Sequence, residues 1–167
     1  YRTVPGNKHP SAAYFARGTG HNEFARYSED PVMWENNLVR LRRKVETIKQ
    51  ILPKPELRLI PGAEVGVIGF GSTDAAIREA VDLLEKQKVK VNYLRLRSLP
   101  ASDEVGAFIK QHAAIYVVEL NRDGQLCLIL RSEFPDHAPQ IKSLAHLDGL
   151  PLSAKWMVDA LLGQERK

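Results

Sequence analysis

Residues 64–84, EVGVIGFGSTDAAIREAVDLL, decide how the rest of the chain is read. Val65, Val67 and Ile68 form a short apolar run rich in β-branched residues, and Gly69, Gly71 and Ser72 break it. Ile77, Ala80, Val81 and Leu84 then recur at the i, i+3, i+4, i+7 spacing of one helix face. Glycine permits a tight turn between the two periods, Ser72 or Thr73 can cap the first helical amides, and Asp74 suits the positive end of the helix dipole. Strand, glycine turn and helix make the first half of a βαβ unit.

Downstream, the alternation continues. Leu57–Ile60 reads as a short edge strand. Residues 89–99 alternate as Val89, Val91 and Tyr93, then shift phase to Leu94 and Leu96, which predicts a bulged strand stopped by Pro100. A short helix is expected over 102–111. AIYVVEL, residues 114–120, is a continuous apolar run that suits a strand buried on both faces. Residues 121–124 make its exit turn, 125–133 a second short helix and 141–147 a weaker strand. Asp148-Gly149 turns the chain, Ser153 caps a helix carrying Trp156, Met157, Ala160 and Leu161, and Gly163 closes it. Strands alternating with helices imply an α/β fold with a mostly parallel sheet and helices on both faces.

Upstream, Asp30-Pro31 reads as an N-cap followed by proline at the first helical position. Trp34, Leu38, Leu41, Val45, Ile48 and Leu52 follow at steps of 4, 3, 4, 3 and 4, and Pro53 and Pro55 end the pattern. That predicts a helix of about 20 residues with one apolar stripe, expected to be buried against the sheet domain or a neighbouring subunit. Arg40, Arg42, Arg43, Lys44 and Lys49 lie on its other faces, as a solvated surface or one for phosphate or a partner. Residues 1–30 are punctuated by Pro5, Gly6, Pro10, Gly18 and Gly20, with Tyr1, Tyr14, Phe15, Phe24 and Tyr27 scattered among them. An irregular segment this aromatic is expected to lie on a surface. The chain divides into a lead-in with its long helix, 1–56, and an α/β domain, 57–167.

The 167 residues carry a net charge of +4, too mild for a nucleic-acid footprint. No apolar run approaches the ~20 residues of a membrane span and no signal peptide is visible, so a cytoplasmic protein is expected. Cys127 is the only cysteine, which rules out an intrachain disulfide, a four-cysteine iron–sulfur cluster and Cys-x-x-Cys zinc within this sequence.

Three constellations could carry chemistry. Gly69, Gly71 and Ser72 stand where a helix N-terminus behind glycines could hold an anion. Asp74 occupies the place of the third fingerprint glycine and no Gly-Lys-Ser/Thr follows, so a structural turn is the plainer account. Glu119, Asn121 and Asp123 cluster where the 114–120 strand ends. They could bind a cation or a substrate hydroxyl, or cap the next helix. RGTGHNE, residues 17–23, gathers Arg17, Gly18, Gly20, His21, Asn22 and Glu23. It could be a surface loop with a structural ion pair or a loop docked near an active site. Its imidazole is the side-chain type that changes charge near neutral pH. No metal site is expected, because no second histidine lies within ligand spacing.

RGTGHNE at 17–23, KVETIKQILPKP at 44–55, GFGSTDAAIREA at 69–80, VVELNRDGQL at 117–126 and DGLPLS at 148–153 occur in an order that resembles one family. The chain is similar to the C-terminal part of the alpha subunit of 2-oxoacid:ferredoxin oxidoreductases of the 2-oxoglutarate kind. The resemblance implies a transketolase C-terminal-like domain, a three-layer α/β/α sandwich with one antiparallel strand. It implies an accessory, subunit-assembly part of an enzyme that oxidatively decarboxylates a 2-oxoacid to an acyl-coenzyme A. Thiamine diphosphate, Mg²⁺ and the iron–sulfur cluster would then sit in upstream domains of the alpha subunit and in the beta subunit, with coenzyme A as co-substrate and ferredoxin as acceptor. No catalytic residue and no cofactor is expected in this chain itself. Where the family often has His-Asp-Glu, this chain has His21-Asn22-Glu23. A free-standing small-ligand or nucleotide-binding regulatory domain using Gly69–Ser72 is the alternative.

Overall fold

Alternating apolar runs and glycine-broken turns fold as five strands in the computed structural model, which describes residues 3–13, 20–22, 24 and 26–165. The strands are β1 (Glu56–Arg58), β2 (Val65–Phe70), β3 (Val91–Leu96), β4 (Ala114–Glu119) and β5 (Ile141–Ala145). They form one sheet in the order β1-β3-β2-β4-β5. β2 pairs parallel with β3 and β4, and β4 pairs parallel with β5. Only β1 runs antiparallel, Glu56 facing Arg95 and Arg58 facing Tyr93. The helices are α1 (Pro31–Ile51), α2 (Asp74–Lys86), α3 (Asp103–Lys110), α4 (Gln125–Glu133) and α5 (Ala154–Glu165). A 3-10 turn at Pro135–Gln140, not foreseen from the sequence, links α4 to β5.

Successive side chains on a strand point to opposite faces, so the central strands feed two cores. Val67, Tyr93, Tyr116 and Val118 pack with Ile77 and Leu84 of α2 and Met157 and Leu161 of α5. Ile68, Leu94, Ile115 and Val117 pack with Phe108 and Ile109 of α3 and Leu126 and Leu130 of α4. This is the three-layer α/β/α sandwich, with all six residues of β4 buried. The bulge expected near Tyr93 is absent. β3 stays in register with β2 from Val91 opposite Val65 to Leu96 opposite Phe70. The phase shift in its sequence reflects burial on both faces, since Tyr93 and Leu94 enter opposite cores. At the C-terminal end, Ser153 Oγ accepts the Trp156 amide at 3.2 Å and opens α5. α5 continues through Gly163 to Glu165, because that glycine does not take the left-handed φ that ends a helix.

The chain divides into two compact units, Tyr1–Gln50 and Ile51–Lys167. In the first, the Met33 amide donates to Asp30 Oδ1 at 2.7 Å, so α1 starts at its expected cap. Within this chain α1 contains no buried residue, so the stripe expected to be covered by the sheet domain or a neighbouring subunit is not closed here. Leu38 is 60% and Leu41 45% exposed. Among the described residues no helix is long and apolar enough to cross a membrane.

Candidate functional site

β2 connects to β3 on one side of itself while β4 and β5 lie on the other, so the topological switch point falls between β2 and β4. Open α/β sheets bind ligands outside the carboxyl ends of their strands at such a point. A pocket of about 380 Å³ opens there. Phe70 and Gly71 at the end of β2, Leu96–Leu99 at the end of β3, Glu119 and Asn121 at the end of β4, and Leu126 and Ile129 of α4 line it. The walls are mostly apolar, and Arg97 is the cation among them.

The strand-end cluster is tied to α4. Glu119 is fully buried. One of its oxygens accepts the Leu126 amide at 2.9 Å and Asn121 Nδ2 at 2.6 Å, and the other accepts the Cys127 amide at 3.1 Å. Asn121 Oδ1 accepts the Gly124 and Gln125 amides at 2.7 and 3.2 Å. These are the orphan donors of a helix N-terminus, satisfied by one carboxylate and one amide. Asp123 does not join them; it pairs with the exposed Arg122 at 2.6 Å. Burial, with the Glu119 charge beside it, raises the Cys127 thiol pKa and holds the sulfur in its unreactive form.

Glycine in the 69–72 turn serves backbone geometry and close packing. Gly71 has φ +58°, a conformation L side chains avoid. A Cβ at Gly69 would run into Ile77 Cδ1 of α2. Thr73 does not cap α2 as expected. Its hydroxyl donates to the Phe70 carbonyl at 2.8 Å and accepts the Phe70 amide at 3.1 Å, which locks the turn backwards onto β2. Ser72 is exposed, and the first residue of α2 is the carboxylate Asp74, which opposes any anion there.

Asp74 heads a charge network the sequence did not reveal as a unit. It accepts Arg78 Nε at 2.9 and 3.0 Å and the Tyr93 hydroxyl at 2.9 Å, with Arg95 Nε at 3.7 Å. Arg78 also reaches Glu56 at 2.7 Å, and Arg95 and Arg97 approach the same carboxylate at 3.4 and 3.7 Å. Burial raises the Asp74 pKa, but the bonds from Arg78 and Tyr93 and the charges of Arg78 and Arg95 outweigh it and leave the carboxyl below its ordinary value. Burial, then the bond to Asp74, raises the Tyr93 pKa. The Asp74-Arg78 i,i+4 spacing was legible in the sequence. The contributions of Glu56, Tyr93 and Arg95 needed the β1–β3 register. Asn92 and His112 form a second buried polar pair, their side chains 2.8 Å apart, with Asn92 Oδ1 accepting the Ile60 amide at 2.6 Å.

Of the RGTGHNE loop, Arg17, Gly18, Thr19 and Glu23 lie outside the described residues. Asn22 organises the rest: its Oδ1 accepts the Phe24 and Arg26 amides at 3.0 and 3.1 Å, and its own amide donates to the Arg26 carbonyl at 3.0 Å. His21 and Tyr27 form an antiparallel bridge. The loop rests on the start of α1, where Asn37 Nδ2 donates to the His21 carbonyl at 2.8 Å and Trp34 Nε1 to the Ser28 carbonyl at 3.2 Å. Gly20 is covered by the Trp34 ring, which leaves no room for a Cβ.

A three-layer sandwich with one antiparallel edge strand defines the class as a transketolase C-terminal-like α/β domain. Transketolase from Campylobacter jejuni subsp. jejuni superimposes on 68% of this chain and 19% of its own, with TM-score 0.50 and 14% identity. A split-gene transketolase, an inactive β4 tetramer, covers 65% of this chain and 40% of its own at TM-score 0.53 and 18% identity. At those identities the likeness is one of fold. The 2-oxoglutarate:ferredoxin oxidoreductase from Magnetococcus marinus, solved with 2-oxoglutarate, coenzyme A and succinyl-CoA bound, matches far more of it. The match covers 96% of this chain and 28% of that one, at TM-score 0.79 and 25% identity. In sequence, subunit alpha of 2-oxoacid:ferredoxin oxidoreductase 2 from Aeropyrum pernix is 31% identical over 150 residues, 85% of this chain and 23% of that subunit. No protein-family model matches. The chain is similar to the alpha subunits of 2-oxoacid:ferredoxin oxidoreductases, and it spans about a quarter of the length of that curated relative.

Proposed function

We propose that this chain is the accessory, subunit-assembly part of a thiamine diphosphate-dependent 2-oxoacid:ferredoxin oxidoreductase working in the cytoplasm. The enzyme would convert a 2-oxoacid such as 2-oxoglutarate to its acyl-coenzyme A, with chemistry carried by upstream domains of the alpha subunit and by the beta subunit. One observation carries the reading: Glu119, the buried carboxylate at the sheet's carboxyl edge, has both oxygens engaged by α4 amides and the Asn121 amide. A Mg²⁺–diphosphate needs carboxylate oxygens free to ligate, so that group does not fit this edge. A four-cysteine cluster does not fit a sequence with one cysteine. The Arg17–Glu23 loop docks at the subunit junction and lines the active-site entrance.

Co-expression tests this directly. The chain should co-purify with the beta subunit and the remaining alpha-subunit domains, and alone it should neither reduce ferredoxin nor give heat on titration with thiamine diphosphate and Mg²⁺. A micromolar dissociation constant for the isolated chain would overturn the assignment. In the assembled enzyme, His21→Ala and Glu23→Ala should raise KM or loosen the complex while kcat falls less than about tenfold. A thousandfold loss of kcat with assembly intact would make one of them an acid–base residue.

The pocket at the switch point favours a second reading, a small-ligand regulatory site. ATP, NAD and coenzyme A should leave the melting temperature unchanged under the first reading. A rise of several degrees that Gly71→Ala abolishes would favour the second.

A further inference from the structure

The apolar stripe of α1 has the spacing of a coiled-coil seam. Trp34, Leu41 and Ile48 fall at one heptad core position and Leu38 and Val45 at the other, a strict seven-residue repeat across the helix. Among the described residues of 20–28, the hydrogen bonds to α1 reach its first turns, through Trp34 and Asn37, and no residue of α1 is buried. The positions flanking this seam are Glu35, Asn37, Arg42, Lys44, Lys49 and Ile51. Lys49 leans on Glu46 at 3.4 Å. Among the described residues Arg42 and Lys44 have no ion-pair partner.

Those flanks determine what can lie on the seam. A parallel second copy would set Lys44 against Lys49. An antiparallel copy centred on the seam would set Arg42 against Arg42 and Lys44 against Lys44, with Glu35 against Lys49 the favourable pair. Like charges at flanking positions select against self-pairing and for a complementary strand. We infer that α1 docks, through Trp34, Leu38, Leu41, Val45 and Ile48, against a protein helix whose own apolar heptad seam is flanked by Asp and Glu. The inference rests on the assembly reading, because that helix belongs to the rest of the enzyme.

Two measurements separate the failure of this inference from the failure of that reading. The 167-residue chain is titrated with designed 21-residue helical peptides, with Leu at both core positions and either Glu or Lys at every flank. The Glu peptide should bind at least tenfold more tightly than the Lys peptide, weaken with added salt, and lose binding to the Leu41→Asp/Val45→Asp variant. Equal binding, no binding, or a chain that dimerises through α1 at the same concentration overturns the inference whatever the enzyme does. In the complete enzyme, a photo-crosslinker at Val45 should mark an acidic-flanked helix in the beta subunit or upstream alpha-subunit domains. A crosslink to residues 51–167, to a second α1 or to a segment without acidic flanks overturns it, as does no crosslink in an enzyme that assembles. An enzyme in which wild-type chain and beta subunit never co-purify overturns the assembly reading, while the peptide result still decides the chemistry of the seam.

Discussion

The two units of the chain use the same residue types in opposite ways. In Ile51–Lys167 apolar side chains fill two cores and the prominent polar ones bind their own fold, as Glu119 does with α4 and Asp74 with Arg78 and Tyr93. In the first unit a helix of 21 residues has no buried residue, although Trp34, Leu38, Leu41, Val45 and Ile48 recur at steps of 4, 3, 4 and 3. A periodic apolar face shows that something is to be buried, and the other unit shows what a closed face looks like. The contrast sets a unit whose apolar faces are closed by its own helices against a helix whose stripe is the docking face inferred above.

The contrast is tested most severely at Glu119. Glu119→Ala removes an acceptor shared by two helix amides and Asn121 inside the core, and urea unfolding of the chain should show a loss of roughly 3–5 kcal/mol. A loss below about 1 kcal/mol would mean that α4 caps itself. Acid should act next. The lowered Asp74 pKa favours the folded state above the unfolded carboxyl value, so stability is present at neutral pH and falls as pH drops below about 4. Urea midpoints measured from pH 7 to pH 3 should show that fall, and Asp74→Asn should flatten it. Gly71→Ala forces an L side chain into φ +58° and should cost about 1 kcal/mol by thermal melting. The smallest effect belongs to the other unit. Leu41→Ala in the isolated chain should change stability by no more than about 0.5 kcal/mol, since the side chain is already half in water. A loss of several kcal/mol there would mean that α1 is closed by its own chain, and the contrast would collapse.

How much was legible follows from the range of each interaction. The β2 run, the α4 bounds, the Asp30 cap and the buried β4 strand are set by neighbours a few residues apart, and the sequence displays them. The β3 bulge was misread because a strand buried on both faces loses its alternation, and only the parallel pairing on one side and β1 on the other reveal that burial. Of the two candidate caps, Thr73 is not legible as one or the other, because its hydroxyl can reach the amides ahead or the Phe70 backbone behind, and both are local. The network around Asp74 joins residues from 56 to 97 and depends on strand register. The strand-end residues were visible as a cluster, yet whether Glu119 faced a ligand or a helix end depended on where α4 begins.

The short antiparallel β1 has a consequence for handling the α/β unit apart from its neighbours. An open sheet margin is a template on which identical chains can polymerise. The sheet has two margins, β1 and β5, and the β1 margin is three residues long. Glu56 at one end is held by Arg78, and Arg58 at the other by Asp82 and Glu85 at 2.7 and 3.1 Å. A strand so brief and so charged offers little backbone for an incoming copy. The β1 margin of the fragment 51–167 should therefore not nucleate fibres at concentrations where a long apolar margin would.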